Sequence, residues 1–391
     1  MPLKDAQLSS RVDGSRAILH THIQLLSQEC ALLVVMPSPT QVVAIACAGL
    51  LVIVGATGLA QRGTAQSAPA AKAQADTTAR IVASAQTLVA TLDAAGRSRV
   101  QFPFEGAQKT RWSNLPGPMF QRQGVRMGDL TAAQRAAVTN LLTVALSRDG
   151  YQKVVEIMRG DEVLKKTQGG GGRGRGGFGG GPAFGEDEYY LAFVGTPSTT
   201  EPWMLQFGGH HLAINLTMAG SQATMTPSLP AAQPATYTFE GRTVRPLGTE
   251  NDKAFALVNA LNATQRSEAI LPYRVSDLVL GPGQDGRTIQ PEGLRASSLS
   301  PEQQAKLLDI VREWAGMMND TFAEPRLNDI RAKLPDTYFA WSGPLTNGSA
   351  AYFRIQGPTL VIEYAPQGGV DHIHTIYRDP TNDYGAQFAR R

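Results

Sequence analysis

Cysteine is nearly missing from this chain of 391 residues. The only two, Cys30 and Cys47, both lie ahead of residue 61. Beyond them no thiol can close a disulfide, ligate a metal as thiolate or attack a substrate, so a structural Cys-type zinc site is disfavoured. An excess of either charge is lacking too. Lys and Arg number 36 against 33 Asp and Glu, a net charge of +3. That balance points neither to nucleic acid nor to an anionic membrane surface as partner. Gly-x-Ser-x-Gly, His-Glu-x-x-His and the dinucleotide fingerprint are also missing, which argues against a serine hydrolase, a zincin and a nicotinamide enzyme. Histidine, carboxylate and tyrosine remain as the available chemistry.

Histidine is scarce and unevenly placed. Of the 6, His20 and His22 precede an apolar run, and the rest form two tight pairs, His210-His211 and His372-Ile373-His374. Residues i and i+2 of a strand share a face, so a strand carrying His372 and His374 aims both imidazoles at one point. Neutral imidazole is a ligand for zinc, copper and non-haem iron. The reading is a site for one divalent transition metal (zinc, copper or iron) drawn from His210, His211, His372 and His374. A hydrogen-bonded histidine ladder on a sheet and a metal-free catalytic histidine are the alternatives. The segment from His210 to Met218 alternates as a strand does. Adjacent strand residues point oppositely, so a regular strand offers one histidine of the first pair, unless a bulge at Gly208-Gly209 re-aims His210.

The apolar run Val42–Ala60 is followed by small residues that suit signal peptidase. Residues 1–65 are therefore read as an upstream segment with a signal peptide or an uncleaved membrane anchor, and the protein as exported, periplasmic or extracellular. Residues 66–80 are expected to be a flexible tether, and 81–391 a single α+β domain with a Gly/Arg-rich loop insertion at 168–182. Apolar spacing predicts a helix over 81–97. Thr131, Asn262 and Ser300 each precede a Gln by three positions, the spacing of a capping box. They are read as local helix starts and not as a domain repeat. The C-terminal part alternates strands with turn signals, which implies an antiparallel sheet packed with several helices and ending on the His-x-His strand.

Acid/base and binding candidates lie near that strand. Glu363, in Val361-Ile362-Glu363-Tyr364, suits a carboxylate that accepts a ligand histidine's second N–H. Arg378 suits an anionic substrate and Tyr384 proton donation. The stretches Phe207-Gly208-Gly209-His210-His211-Leu212-Ala213-Ile214-Asn215, Tyr352-Phe353-Arg354-Ile355-Gln356-Gly357-Pro358, and His372 onward through Arg378-Asp379-Pro380-Thr381-Asn382-Asp383-Tyr384-Gly385 resemble the uncharacterised family termed domain of unknown function (DUF) 3500. The resemblance runs from about residue 80 to the end and carries no activity over to this chain. Taken together, the residues point to an exported histidine-ligated metalloenzyme, a hydrolase or oxidoreductase acting on a small molecule or polymer. A metal carrier without turnover and a metal-free ligand-binding protein are the alternatives.

Overall fold

The structure is a computed structural model that describes residues 68–168 and 182–388. The upstream segment, its apolar run and most of the Gly/Arg-rich insertion lie outside the described residues. Among the described residues no helix is long and apolar enough to cross a membrane. Residues 66–391 form one compact unit.

The chain is α+β and is built twice over the same plan. The first half begins with α1 (Ala68–Thr91) and α2 (Ala94–Val100), then β1 (Gln101–Phe102) and β2 (Val125–Arg126). A 3-10 turn leads into α3 (Ala132–Ala145) and α4 (Arg148–Gln168), and a second one into β3 (Tyr190–Val194), β4 (Trp203–Gly209) and β5 (Leu212–Ala219). Four short strands follow, β6 (Gln222–Thr224), β7 (Leu229–Pro230), β8 (Tyr237–Phe239) and β9 (Arg242–Val244). The second half then repeats the order: α5 (Gly248–Asn259), α6 (Ala263–Ala269), β10 (Leu294–Arg295), α7 (Pro301–Ala315), α8 (Asp320–Ala332), β11 (Tyr338–Ser342), β12 (Tyr352–Gly357) and β13 (Leu360–Pro366), with β14 (Ile373–Arg378) added.

The helix starts are thus not merely local, which corrects the sequence reading. Thr131, Asn262 and Ser300 all form full capping boxes with Gln134, Gln265 and Gln303. Thr131 precedes Ser300 by the same interval that separates Asp93, the cap of α2, from Asn262, the cap of α6. Contacts repeat as well. Gln134 donates to the Thr91 carbonyl, and Gln303 donates to the Ala260 carbonyl, its counterpart. Gly124 and Gly293 both have positive φ (114° and 93°) and both press against a strand carbonyl, of Leu191 and Phe339, where a Cβ would sit 2.3 Å from the oxygen. The fourth member, Asp93, caps α2 at the Gly96 N–H and lacks the Gln that marks the other three.

The tether expectation is also corrected. Residues 68–80 are the first part of α1, and Gln74, Thr77 and Thr78 on it are buried. Thr78 donates to the Gly220 carbonyl. The same helix buries Ile81, Val82, Ala85 and Leu88 along one stripe.

Each sheet has an apolar face and a half-polar one. In the first, Leu191, Phe193, Leu205, Phe207, Ile214 and Leu216 join α1 and α3 in one core. In the second, Phe339, Trp341, Phe353, Ile355 and Ile362 join α5 and α7. The other two faces meet each other through Val194, Met204 and Ala213 on one side and Ile376 and Tyr384 on the other. Each of these faces is covered by a long loop, residues 103–124 between β1 and β2 and residues 271–293 between α6 and β10. Gln108 of the first loop donates to Gln206 (2.6 Å), and Glu363 holds the second.

One segment joins the two halves. Leu229–Pro230 pairs with Ala213 and Leu212 at the start of β5, and Ser228 and Ala232 pair with Tyr377 and Ile373 of β14. Pairing sets strands about 4.8 Å apart, so β5 and β14 lie roughly two spacings, about 10 Å, apart here. Imidazoles reaching in from both sides span that gap.

Candidate metal centre

His210 and His211 do not belong to a strand, as the alternation suggested. They are the two-residue turn between β4 and β5. A tight turn needs unusual backbone, and His211 supplies it with φ 59°, a left-handed conformation that is costly for a residue with a Cβ. Four hydrogen bonds hold the turn in place. His211 N–H donates to the Asn114 carbonyl (3.1 Å), and Ala231 N–H donates to the His211 carbonyl (2.8 Å). Tyr189 donates its hydroxyl to the His210 carbonyl (2.8 Å), and Arg122 donates to the Gly209 carbonyl (2.7 Å). Gly209 is required for this: a Cβ there would lie 2.7 Å from the Tyr189 ring.

The turn sends its two imidazoles to different places. His210 turns back to α4, where its Nδ1 lies 2.6 Å from Asp161 Oδ1, both side chains buried. Its ring stacks behind His211 at 3.7 Å between centroids. His211 points forward to His372 and His374, which share a face as the i, i+2 spacing requires. His372 immediately precedes β14, and His374 lies within it, paired with Ala365. The ligand atoms of His211, His372 and His374 lie within 4.8 Å of one another. His210 is outside that set.

Counting lone pairs tests whether a cation fits. Each imidazole nitrogen offers either one hydrogen or one lone pair. His372 Nε2 lies 2.8 Å from His211 Nε2 and 3.0 Å from His374 Nε2, so it satisfies at most one of these contacts. His374 Nδ1 lies 3.2 Å from Asp277 Oδ1. That pairing places the hydrogen on Nδ1 and the lone pair on Nε2, a tautomer assigned from its partners. Asn114 Nδ2 lies 3.1 Å from the same Nε2, a contact that a bound cation would replace. Three imidazole nitrogens thus converge with more contacts than hydrogens can serve, whereas one cation takes a lone pair from each. Metal–nitrogen bonds of about 2.0–2.1 Å at tetrahedral angles put ligand nitrogens about 3.3 Å apart, a few tenths of an ångström beyond the two shortest contacts. His211 Nδ1 is buried and has no hydrogen-bond partner among the described residues.

Electrostatics favour the neutral form of His211 and His372, the form that ligates. Burial, followed by the facing His210, His374 and His372, drives His211 well below the usual histidine value. Burial and then His374 push His372 down to about 4. Asp277 is lowered: its hydrogen bonds to His374 and to the Leu278 N–H outweigh its burial. The cluster lies at the protein's edge. His211 is buried, while His372 and His374 are half-buried, the latter side chain 12% exposed.

The carboxylate, guanidinium and phenol singled out from sequence lie apart from the three nitrogens. Glu363 is fully buried, accepts from Val279 N–H (2.9 Å), Leu280 N–H (2.7 Å) and the Tyr352 hydroxyl (2.6 Å), and leaves the histidine-orienting role to Asp277. Arg378 donates to the Leu280 and Gly281 carbonyls and to Asp285 and Asp383. Tyr384 donates to Asp285 (2.7 Å) and accepts from the Trp112 indole (2.7 Å). Burial raises its pKa above the usual phenol value. All three anchor the loop that carries Asp277. Residues that the sequence did not single out hold the centre: Asn114, Asp277, Asp161 and Arg122.

No curated protein and no solved structure matches this chain. The family model described as Protein of unknown function (DUF3500) matches residues 74–386, and the chain belongs to that family.

Proposed function

We propose that this protein is a metalloenzyme in which Nε2 of His211, His372 and His374 holds one divalent transition metal ion. The observation that carries the reading is the convergence of three imidazole nitrogens, 2.8 and 3.0 Å apart along the chain of contacts, with His374 oriented by Asp277 from behind. A carboxylate on the far nitrogen is the usual support of a ligating histidine. Three protein ligands leave a fourth position, and the half-exposed His372 and His374 put it within reach of solvent. A metal in such a site lowers the pKa of bound water toward neutrality and supplies a nucleophile for hydrolysis, which favours a hydrolase. Asn114 Nδ2 beside His374 is placed to donate to an oxygen near that position. The carrier reading has less support. Met204 and Met218, the thioethers flanking the first histidine pair in sequence, are fully buried in two hydrophobic clusters.

The all-nitrogen set suits zinc, copper or iron, and elemental analysis of untagged protein decides among them. About one equivalent of metal, lost in His372→Ala/His374→Ala, is expected. Zinc with zinc-dependent turnover of a simple ester such as 4-nitrophenyl acetate would support the hydrolase. Copper or iron would redirect the search to oxidase and oxygenase assays. A protein that takes up none of the three ions after reconstitution would refute the centre. We further propose export, resting on the apolar run Val42–Ala60. Cell fractionation with N-terminal sequencing of the mature protein tests it.

A further inference from the structure

Arg122 is the cation that the metal centre does not explain. Its Nη2 donates to the carbonyls of Ser113, Leu115 and Gly209, each at 2.7 Å. That clamp ties the Asn114 loop to the histidine turn. It leaves Nε and Nη1 without an acceptor among the described residues, and no carboxylate there forms an ion pair with the guanidinium. The nearest acids are engaged elsewhere: Asp161 with His210, and Glu188 with Arg126. Burial, the largest influence, lowers its pKa to about 10, so the charge persists at neutral pH. Arg122 is half-buried, and a guanidinium with donors to spare is a ready partner for a carboxylate or phosphate oxygen.

Space for that counter-charge adjoins it. Arg122 lines a cavity of about 410 Å³ together with Phe120, Gln121, Ala183 and Tyr190. Tyr190 adds a hydroxyl that has no hydrogen-bond partner among the described residues. Phe120 adds an aromatic wall whose ring lies 5.5 Å from the guanidinium carbon. Glu188 is also on the wall, but both its oxygens are held by Arg126.

We propose that this cavity is a binding site for the oxyanion of a small ligand, a carboxylate or a phosphate, held by the free N–H groups of Arg122 and the Tyr190 hydroxyl. The site stands apart from the metal, because its wall contains none of the three ligating histidines. It is coupled to the centre through Asn114, whose flanking carbonyls Arg122 grips and whose amide touches His374, and through the Gly209 carbonyl at the start of the histidine turn.

The test is calorimetric titration of the full chain with succinate and, separately, with inorganic phosphate, up to about 10 mM at constant ionic strength. It is run on the unsubstituted protein, on Arg122→Gln and on Gln121→Glu. The last leaves the carbonyl clamp intact and places a carboxylate beside the guanidinium. Saturable binding of one probe, weakened about tenfold or more in Gln121→Glu and in any folded Arg122→Gln, is the expected result. Which probe binds decides between a carboxylate and a phosphate ligand. The same titration on His372→Ala/His374→Ala should be unchanged, so failure of the metal centre would not be mistaken for failure of this site. No binding of either probe overturns the proposal. So does binding that Gln121→Glu leaves intact, which would mark an adventitious ion only.

Discussion

At the level of single residues, the two adjacent histidines have separate duties, and substitution should separate them. His211→Ala removes a converging nitrogen, and loss of bound metal is expected. His210→Ala should keep about one equivalent of metal while lowering the melting temperature, because it leaves Asp161 buried beside the Gly185 N–H alone. Metal analysis and a thermal scan on the same preparations read both. Asp277→Asn retains shape but weakens acceptance from His374 Nδ1, and metal affinity should fall by about 10–100-fold, read by competition with a chromophoric chelator. His372 sets a pH dependence in metal-free protein. His372 sits near 4 when folded against a usual value of about 6.5, so between those limits the unfolded chain binds more protons. Stability should therefore fall as pH drops from about 6.5 toward 4. Denaturant midpoints measured across that window check it, and a midpoint that rose on acidification would contradict the assignment. Glu363 shows how sequence reading missed at this scale. It correctly suggested a buried acid that needs partners. Those partners are backbone N–H groups of a loop more than 80 positions away, and no local pattern names them.

Among the elements, the duplication explains why one hairpin bears the site and its counterpart does not. The turn between β12 and β13, Pro358-Thr359, occupies the place of His210-His211 and has no imidazole. Each turn is gripped from the preceding helix. In the first half Asp161 of α4 holds His210, and in the second Arg326 of α8 donates to the Thr359 carbonyl and hydroxyl. The two grips carry opposite charge, and both hold a hairpin turn to the helix before it. Helix starts were legible because a capping box is a contact within four residues. The repeat was not, since its pairs are separated by a whole half and one of the four caps lacks the Gln.

For the whole molecule, the ligands come from both halves, His211 from the first and His372 and His374 from the second. Metal should then staple the halves together. At free metal about 100 times Kd, the gain is about 2.7 kcal/mol. A melting temperature that rises with metal, and does not rise in His211→Ala, is the expected reading. A second tie is polar. Lys153 of α4 reaches Glu250 of α5 at 2.5 Å and Glu313 of α7 at 3.2 Å, with Glu250 fully buried. Lys153→Met strands that carboxylate and should cost about 3–5 kcal/mol in denaturant titration. A loss under about 1 kcal/mol would show the tie to be dispensable.

Sequence alone determined the chemistry that remains without thiols, the segregation of histidines into two pairs, the α+β class, the caps and the shared face of His372 and His374. Each of these is set by composition or by contacts a few residues long. Tertiary structure decided that His211 and not His210 joins the pair, that Asp277 and not Glu363 orients it, and that Arg122 stands without an ion-pair partner among the described residues. The reason is physical. Which way a turn residue points depends on the hydrogen bonds that arrive from Asn114, Tyr189, Arg122 and Ala231. Those partners become neighbours only when Leu229–Pro230 draws β5 and β14 to its two sides.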